Sequence, residues 1–515
     1  MGAPEAETAP GISHRRAGAS SKPGSRWRPA AEITFLLLLF AAAFLVRLWP
    51  IWQVHFWDEA VYLQNAKVIC CGNTNYSELS SRPPLLSLLF AGAFALWNHD
   101  YAASLLVALL NGLAPVFLYW AGKMLYNSRT TGLIASLLLA FSPLFAKVGN
   151  SLLTDHPALS LILVSFSTLL WALRRDSQLG FALAGFFCAL AGLMRFTSLI
   201  TVVIFPLFLL PHANRLRASV LFVLGWTAGF GPYLVWSRLE YGGFLATIRS
   251  ALLNVLRVDM PWYYYLANWD DIFPWLSVAG VLLWGVVLWQ EHRASRLPEG
   301  KEFSWRFGQF TLRARLASDL ILCWWVLVVV AYFSTQVPWK EPRYLMPCAP
   351  AWFLLSARGW GGLLSARALF RRVAATVLLL LAMIYTFLPT AQRFREPFIE
   401  PWISEEKKVA DFLSQQATGA AVLYANFNYP VFAYYTGLQT RVIASHDMSF
   451  HENFPANMPQ DGYVILYRNV EIHPNPAWAD VNPHFRRLQE FPSLVVYDYR
   501  RSGFNEALQP PPGNQ

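Results

Sequence analysis

A chain of 515 residues that is 55% hydrophobic and 16% aromatic, with only 14% of its side chains charged, does not have the composition of a soluble protein. Its apolar residues fall into many separate stretches of roughly 16 to 22 residues, each about long enough to cross a hydrocarbon core, which excludes a single-anchor protein. A formal net charge of +10 would suit nucleic acid, but the basic residues sit in short loops between apolar stretches, so no nucleic-acid partner is expected.

Residues 1–32 hold Pro, Gly, Ser, Ala and Arg without apolar periodicity and read as a disordered cytoplasmic tail, followed by a first span at Ile33 to Trp52 with no cleavage site after it. A long loop from Gln53 to Asp100 then contains a helical piece, Asp58 to Ile69, and a short apolar piece, Pro84 to Trp97, suited to a helix lying at the membrane interface. Further spans are expected at Ala102 to Leu125, Thr131 to Phe145, Pro157 to Leu173, Phe181 to Met194, Thr197 to Leu210, Val220 to Trp236, Ile272 to Trp289, Leu320 to Thr335, Tyr344 to Leu355 and Val373 to Pro389. That makes about eleven transmembrane helices, the polytopic membrane part of the chain being residues 33–392.

Lys and Arg gather in the tail, at Arg174 and Arg175, at Arg215 and Arg217, between Arg293 and Arg315, and at Arg367, Arg371 and Arg372. Short loops rich in these residues stay in the cytoplasm, so the alternate segments, including Gln53 to Asp100, Asp155, Lys340 to Arg343 and the C-terminus, are expected outside. Beyond Arg393 the composition changes. A helical piece, Lys407 to Gln415, and short Val, Ile and Tyr-rich runs at Ala421 to Ala425, Arg441 to Ala444, Tyr463 to Tyr467 and Leu494 to Tyr499 read as a small extracytoplasmic α/β domain over residues 393–508, ahead of a disordered end at 509–515. Of the five cysteines, none has metal-ligand spacing, and Cys70 and Cys71 are neighbours, between which a bridge is strained; both are read as structural or incidental.

The polar residues that stand out lie in the outer set. In "HFWDEAVYLQNAK", Asp58 and Glu59 open a helix straight after a span. Capping explains them alone, but Asp58, Tyr62 and Asn65 share one helical face. Arg82 precedes Pro83 and Pro84, which stiffen the entry to the interfacial helix; snorkelling to headgroups is the plainer account. Asp155 and His156 sit at the mouth of a span before Pro157, where capping again competes. The turn "VPWKEPRYLMPCAP" compresses Lys340, Glu341 and Arg343 between spans, and two cations beside one acid leave a positive surplus suited to an anionic headgroup. Arg257 precedes the aromatic run "PWYYYL" in another outer loop. Acids for proton abstraction and cations for a departing phosphate are therefore available on one surface.

These segments in this order resemble the GT-C superfamily of membrane glycosyltransferases, in particular the bacterial branch related to dolichyl-phosphate-mannose protein mannosyltransferases and the lipid A aminoarabinose transferase. The resemblance rests on Asp58 and Glu59 after the first span, Arg82-Pro83-Pro84, Asp155 in "LLTDHPAL", Arg257 before "PWYYYL" and "KEPRYLMP". It implies an enzyme of the cell inner (plasma) membrane that transfers sugar from a polyprenyl-phosphate donor to a lipid, glycan or protein acceptor outside. It implies Asp58 as general base, with Glu59 and Asp155 as further catalytic acids, and Arg82, Arg257, Lys340, Arg343 and Tyr344 around the lipid phosphate. The aminoarabinose transferase has a zinc site whose ligand set has no full counterpart here, so no cofactor is assigned and a divalent cation stays open. A transporter or flippase of lipid-linked saccharides, or a non-catalytic membrane-assembly protein, is the alternative from the residues themselves.

Overall fold

The computed structural model describes residues 29–48, 57–73, 75–149, 151–253, 260–294, 304–307, 310–364, 404–416, 421–443, 456–468 and 473–504, with a few positions between 373 and 388. It is mostly helical. Helices α1 (Pro29–Leu48), α2 (Trp57–Cys71), α3 (Leu85–Leu96), α4 (Asp100–Tyr126), α5 (Arg129–Ala140), α6 (Pro143–Gly149), α7 (Asp155–Arg175) and α8 (Gln178–Met194) are followed by Arg215–Tyr241, Trp275–Ala294, Ala314–Gln336 and Ala349–Leu364. Among the described residues five are long and apolar enough to cross a membrane: Ala30–Leu48, Asp100–Tyr126, Asp155–Arg175, Arg215–Tyr241 and Leu316–Gln336. Leu85–Leu96, Arg129–Ala140, Gln178–Met194, Phe196–Leu209 and Trp275–Gln290 are shorter apolar helices.

Three expected spans are not continuous α-helices, the one at Thr131 to Phe145 being split between α5, which ends at Ala140, and α6, which begins at Pro143. Phe196–Leu209 alternates 3-10 and α turns, with Pro206 withholding a backbone donor. In place of a span from Tyr344, a 3-10 segment, Pro342–Cys348, leads into the helix Ala349–Leu364; Pro347 inside it prevents α hydrogen bonding. The span expected at Val373 to Pro389 falls largely outside the described residues. Cys70 and Cys71, read as structural or incidental because a bridge between neighbours is strained, are joined by a disulfide at the end of α2. Gly72, at φ +68°, lets the chain leave the helix immediately after them.

The local chemistry of α7 and α8 determines where the polar residues lie. α7 stops at Asp176, a left-handed residue, and Ser177 caps the start of α8 by accepting from the Gly180 amide. The pair therefore returns antiparallel, tied across by Ser165 donating to the Ala184 carbonyl at 2.7 Å. The start of α7, Asp155, and the residue after α8, Arg195, consequently lie at the same end. On its other side α8 packs on Arg215–Tyr241 through glycines: a Cβ at Gly185 would stand 1.9 Å from the Phe222 carbonyl oxygen, and one at Gly225 1.9 Å from that of Ala182. Phe166, Phe205, Phe208 and Trp325 fill the interior with ring centroids 5.0 to 5.5 Å apart. A buried Asp319 ties three helices, taking Arg358 Nε at 2.9 Å, the Tyr126 hydroxyl at 2.8 Å and Trp284 Nε1 at 3.1 Å.

The C-terminal domain is a five-stranded mixed sheet in the order β4-β3-β5-β7-β6 among the described residues. Its strands are β3 (Val422–Ala425), β4 (Gln439–Val442), β5 (Gly462–Tyr467), β6 (Phe485–Glu490) and β7 (Leu494–Tyr499), after a hairpin β1 (Ser304–Phe307) and β2 (Phe310–Arg313) earlier in the chain. β3 pairs in parallel with β4 and β5, and β7 antiparallel with β5 and β6. The strand β7 is buried along its whole length: its apolar run Leu494 to Tyr497 suits a strand with neighbours on both sides, and the buried Asp498 after it is paired with Arg486 Nη2 at 2.9 Å. The helix Tyr429–Thr436 carries the domain onto α2: Val431 and Tyr434 join Ala60, Leu63 and Phe90 in one apolar cluster, and Asn75 Nδ2 donates to the Ala433 carbonyl at 2.8 Å.

Candidate active site

Asp58 stands in the first turn of α2, where a carboxylate favours the helix start. Its Oδ1 is 2.9 Å from Arg82 Nη1 and its Oδ2 3.1 Å from Arg343 Nη2. Arg343 continues to a second acid, with Nη1 3.6 Å from Asp155 Oδ2, and it also pairs with Glu341 two residues before it. Asp155 Oδ2 lies 2.8 Å from Arg195 Nη1, and Arg195 is fixed by Thr197 Oγ1 at 3.1 Å and Thr154 Oγ1 at 3.3 Å. Residues from α2, the segment before α3, the start of α7, the end of α8 and the 3-10 turn at Pro342 thus form one alternating network of carboxylates and guanidinium groups. Tyr344 lies against it, its ring centroid 5.3 Å from the Arg195 guanidinium carbon and 5.9 Å from that of Arg343.

Opposing influences act on Asp58. Burial disfavours its charge, but Arg82, Arg343 and Arg195 together outweigh burial and hold its carboxyl below the usual carboxylate range. Arg82 and Arg343, although burial works against their charges, are held above the usual guanidinium value by the facing carboxylates. Asp155 Oδ1 is buried and accepts no hydrogen bond among the described residues.

Asp58, Arg82, Asp155, Arg343 and Tyr344 are therefore brought together. Two other expected site residues are engaged differently. Glu59 is buried and its Oε1 accepts the Leu152 amide at 2.9 Å, fastening α2 to the turn ahead of α7. Lys340 is buried, and its ammonium donates to the carbonyls of Met260 at 2.8 Å, Val337 at 3.0 Å and Pro338 at 3.3 Å. The positive surplus expected in the "KEPR" turn is accordingly taken up by backbone carbonyls and acids. Arg257 lies outside the described residues. Among the described residues no three His, Cys, Asp or Glu side chains converge as metal ligands, and neither ring nitrogen of the buried His156 is hydrogen-bonded.

Sequence reasoning missed Arg195 and Glu78. Arg195 stands between two apolar stretches in the outer set by span parity, which was the available signal. Glu78 had no pattern of its own: Asn65 Oδ1 accepts its amide at 2.9 Å, and its Oε2 then holds Arg82 Nε at 2.7 Å.

Residues 81–236, which include Arg82, Asp155 and Arg195, match the family described as dolichyl-phosphate-mannose-protein mannosyltransferase. The chain is 25% identical over 264 residues to the undecaprenyl phosphate-alpha-4-amino-4-deoxy-L-arabinose arabinosyl transferase of Yersinia enterocolitica, a stretch covering 48% of this chain and 43% of that relative. The fold is similar to that of ArnT from Cupriavidus metallidurans bound to undecaprenyl phosphate, with a TM-score of 0.63 and 14% identity over 91% of this chain and 98% of that one. It is also similar to the archaeal oligosaccharyltransferase AglB from Archaeoglobus fulgidus in complex with an inhibitory peptide and a dolichol-phosphate, with a TM-score of 0.55 and 14% identity over 85% and 70% of the two chains.

Proposed function

We propose that this chain is a membrane glycosyltransferase of the GT-C superfamily and that it transfers a sugar from a polyprenyl-phosphate donor to an acceptor hydroxyl, a reading supported by its family match, its curated relative and its fold. The observation that carries the reading is Asp58 held between Arg82 and Arg343. A flippase needs cations for a phosphate, but it has no use for a carboxylate kept ionised at their centre.

In this reading the acceptor oxygen attacks the anomeric carbon, Asp58 takes the hydroxyl proton, and the bond from that carbon to the phosphate oxygen breaks. The lipid phosphate leaves with the bonding pair, and Arg82, Arg343 and Arg195 meet its charge. The resting network also supplies a means of timing. While Arg82 and Arg343 face Asp58, the carboxylate is a weak base. A donor phosphate draws both guanidinium groups toward itself, and the proton affinity of Asp58 rises once they are shared. Asp155 keeps Arg195 and Arg343 in place throughout. Lys340 and Glu59 position backbone, and Arg257 is assigned to the donor phosphate by resemblance.

The loop charges support a cytoplasmic N-terminus, an odd number of crossings and a C-terminal domain outside the plasma membrane. The acceptor is a lipid, glycan or protein hydroxyl presented there. Mass spectrometry of a deletion strain tests the reading: one envelope glycan modification should vanish while one polyprenyl-phosphate sugar accumulates. Unchanged glycans and lipid-linked pools contradict it.

A further inference from the structure

Arg82 is a long, flexible side chain, and its aim at Asp58 depends on what restrains it. The restraint is Glu78, whose Oε2 holds Arg82 Nε at 2.7 Å while Arg82 Nη1 stays 2.9 Å from Asp58 Oδ1. The other oxygen of Glu78 is itself fixed by two aromatic residues: Trp57 Nε1 donates to Oε1 at 3.3 Å, and the Tyr76 hydroxyl donates to the same atom. One residue of the C-terminal domain meets both rings, whereas Phe427 meets Trp57 alone, with centroids 6.2 Å apart. Tyr429, which opens the helix after β3, stands edge-on to Trp57 with centroids 4.3 Å apart and edge-on to Tyr76 at 5.5 Å.

We propose that Tyr429 of the C-terminal domain is a positioning residue for the donor site, acting through Trp57, Tyr76 and Glu78 to hold Arg82 toward the donor phosphate. The inference rests on the assignment of Arg82 to that phosphate. Its specificity comes from the separation of contacts on the docking helix. Asn75 with Ala433, and Tyr434 with Asp100, hold the domain down without touching Glu78, whereas Tyr429 alone of these reaches the rings that bind it. Wedging two ring donors against one carboxylate oxygen leaves the second oxygen with a fixed direction, which preorganises the guanidinium before the donor arrives. By linkage, a bound donor phosphate then tightens the docking of the domain by the same factor that docking tightens the donor.

The test uses the full-length protein in lipid nanodiscs and undecaprenyl phosphate as the probe. Tyr429→Ala is expected to bind it about tenfold more weakly, the loss of one well-directed charged contact, and Tyr429→Phe, which keeps the ring against Trp57 but loses the hydroxyl beside that of Tyr76, to recover part of the affinity. Glu78→Gln, which keeps one amide oxygen for Trp57 and Tyr76 but removes the negative charge that faces Arg82, should lose a similar factor. Asn75→Ala, which weakens docking elsewhere, should bind within about twofold of the unaltered protein. Wild-type affinity in both Tyr429→Ala and Glu78→Gln, with Arg82→Ala impaired, overturns the relay and leaves the donor site standing. Equal losses in Tyr429→Ala and Asn75→Ala show a merely structural role and overturn it too. Wild-type affinity in Arg82→Ala removes the donor-site assignment and the relay with it.

Discussion

Arg343 joins two carboxylates that the sequence keeps far apart: its Nη2 is 3.1 Å from Asp58 Oδ2 and its Nη1 3.6 Å from Asp155 Oδ2. A planar guanidinium can address both at once, and a lysine ammonium on a shorter reach cannot. Arg343→Lys should therefore behave almost as Arg343→Ala, each losing roughly ten- to hundredfold in donor-dependent rate. Each should also melt lower, since buried Asp155 loses a partner. A fully active Arg343→Lys protein would show that one point charge suffices.

Lys340 separates folding from chemistry. Its ammonium serves three carbonyls, so Lys340→Ala should destabilise the protein by about 1 to 3 kcal/mol while leaving affinity for undecaprenyl phosphate unchanged. Thermal unfolding and lipid binding measured on the same preparation decide this. Weaker binding at unchanged stability would return Lys340 to the phosphate site.

The depressed pKa of Asp58 gives a pH dependence with a definite sign. A carboxylate whose folded pKa lies below its unfolded one contributes stability that is fully present above the unfolded value, about 3.9, and is lost as pH falls through the lower folded value. The unaltered protein should therefore lose stability on acidification through that window more steeply than Asp58→Asn. In kinetics, donor phosphate shares the arginines and raises the proton affinity of Asp58, so the acid limb of kcat should lie at higher pH than that of kcat/KM. Coincident limbs would mean that the donor leaves Asp58 and its arginines paired.

Topology is tested by chemistry from outside the cell. Cysteines introduced at exposed positions of the C-terminal domain and near Leu79 should react with an impermeant thiol reagent in intact cells. Labelling of either only after permeabilisation would invert the orientation.

Much of this was legible in the residues. The carboxylates of "WDEA" marked the start of α2, and "SRPP" marked the entry to α3, because capping and proline rules act locally. Four of the five C-terminal strands were legible from their Val, Ile and Tyr runs. β6, with the sequence FRRLQE, was not: it lies at the edge of the sheet, where one neighbour and mostly exposed side chains leave no apolar pattern to read. The helix Tyr429–Thr436 was missed because Pro430 at its start and its aromatic residues resemble a loop or strand, whereas proline is well placed in a first helical turn. At the site, Asp58, Arg82, Asp155 and Arg343 were recognisable from residue type and span parity. Which of them touch is a tertiary fact, and so is the difference between Arg343, turned to carboxylates, and Lys340 three residues earlier, turned to carbonyls. Arg195 was readable by the same parity and was passed over because it lacked a neighbouring acid in sequence; its partner Asp155 arrives through the α7–α8 hairpin.

Turnover of purified Asp58→Asn measures most directly whether Asp58 acts as the base. The substitution keeps the side chain's shape and removes the group that accepts the proton. Turnover should fall by roughly two to four orders of magnitude, with undecaprenyl phosphate binding nearly intact because Arg82, Arg343 and Arg195 remain. Transfer at the wild-type rate would contradict that role and make Asp58 a helix cap.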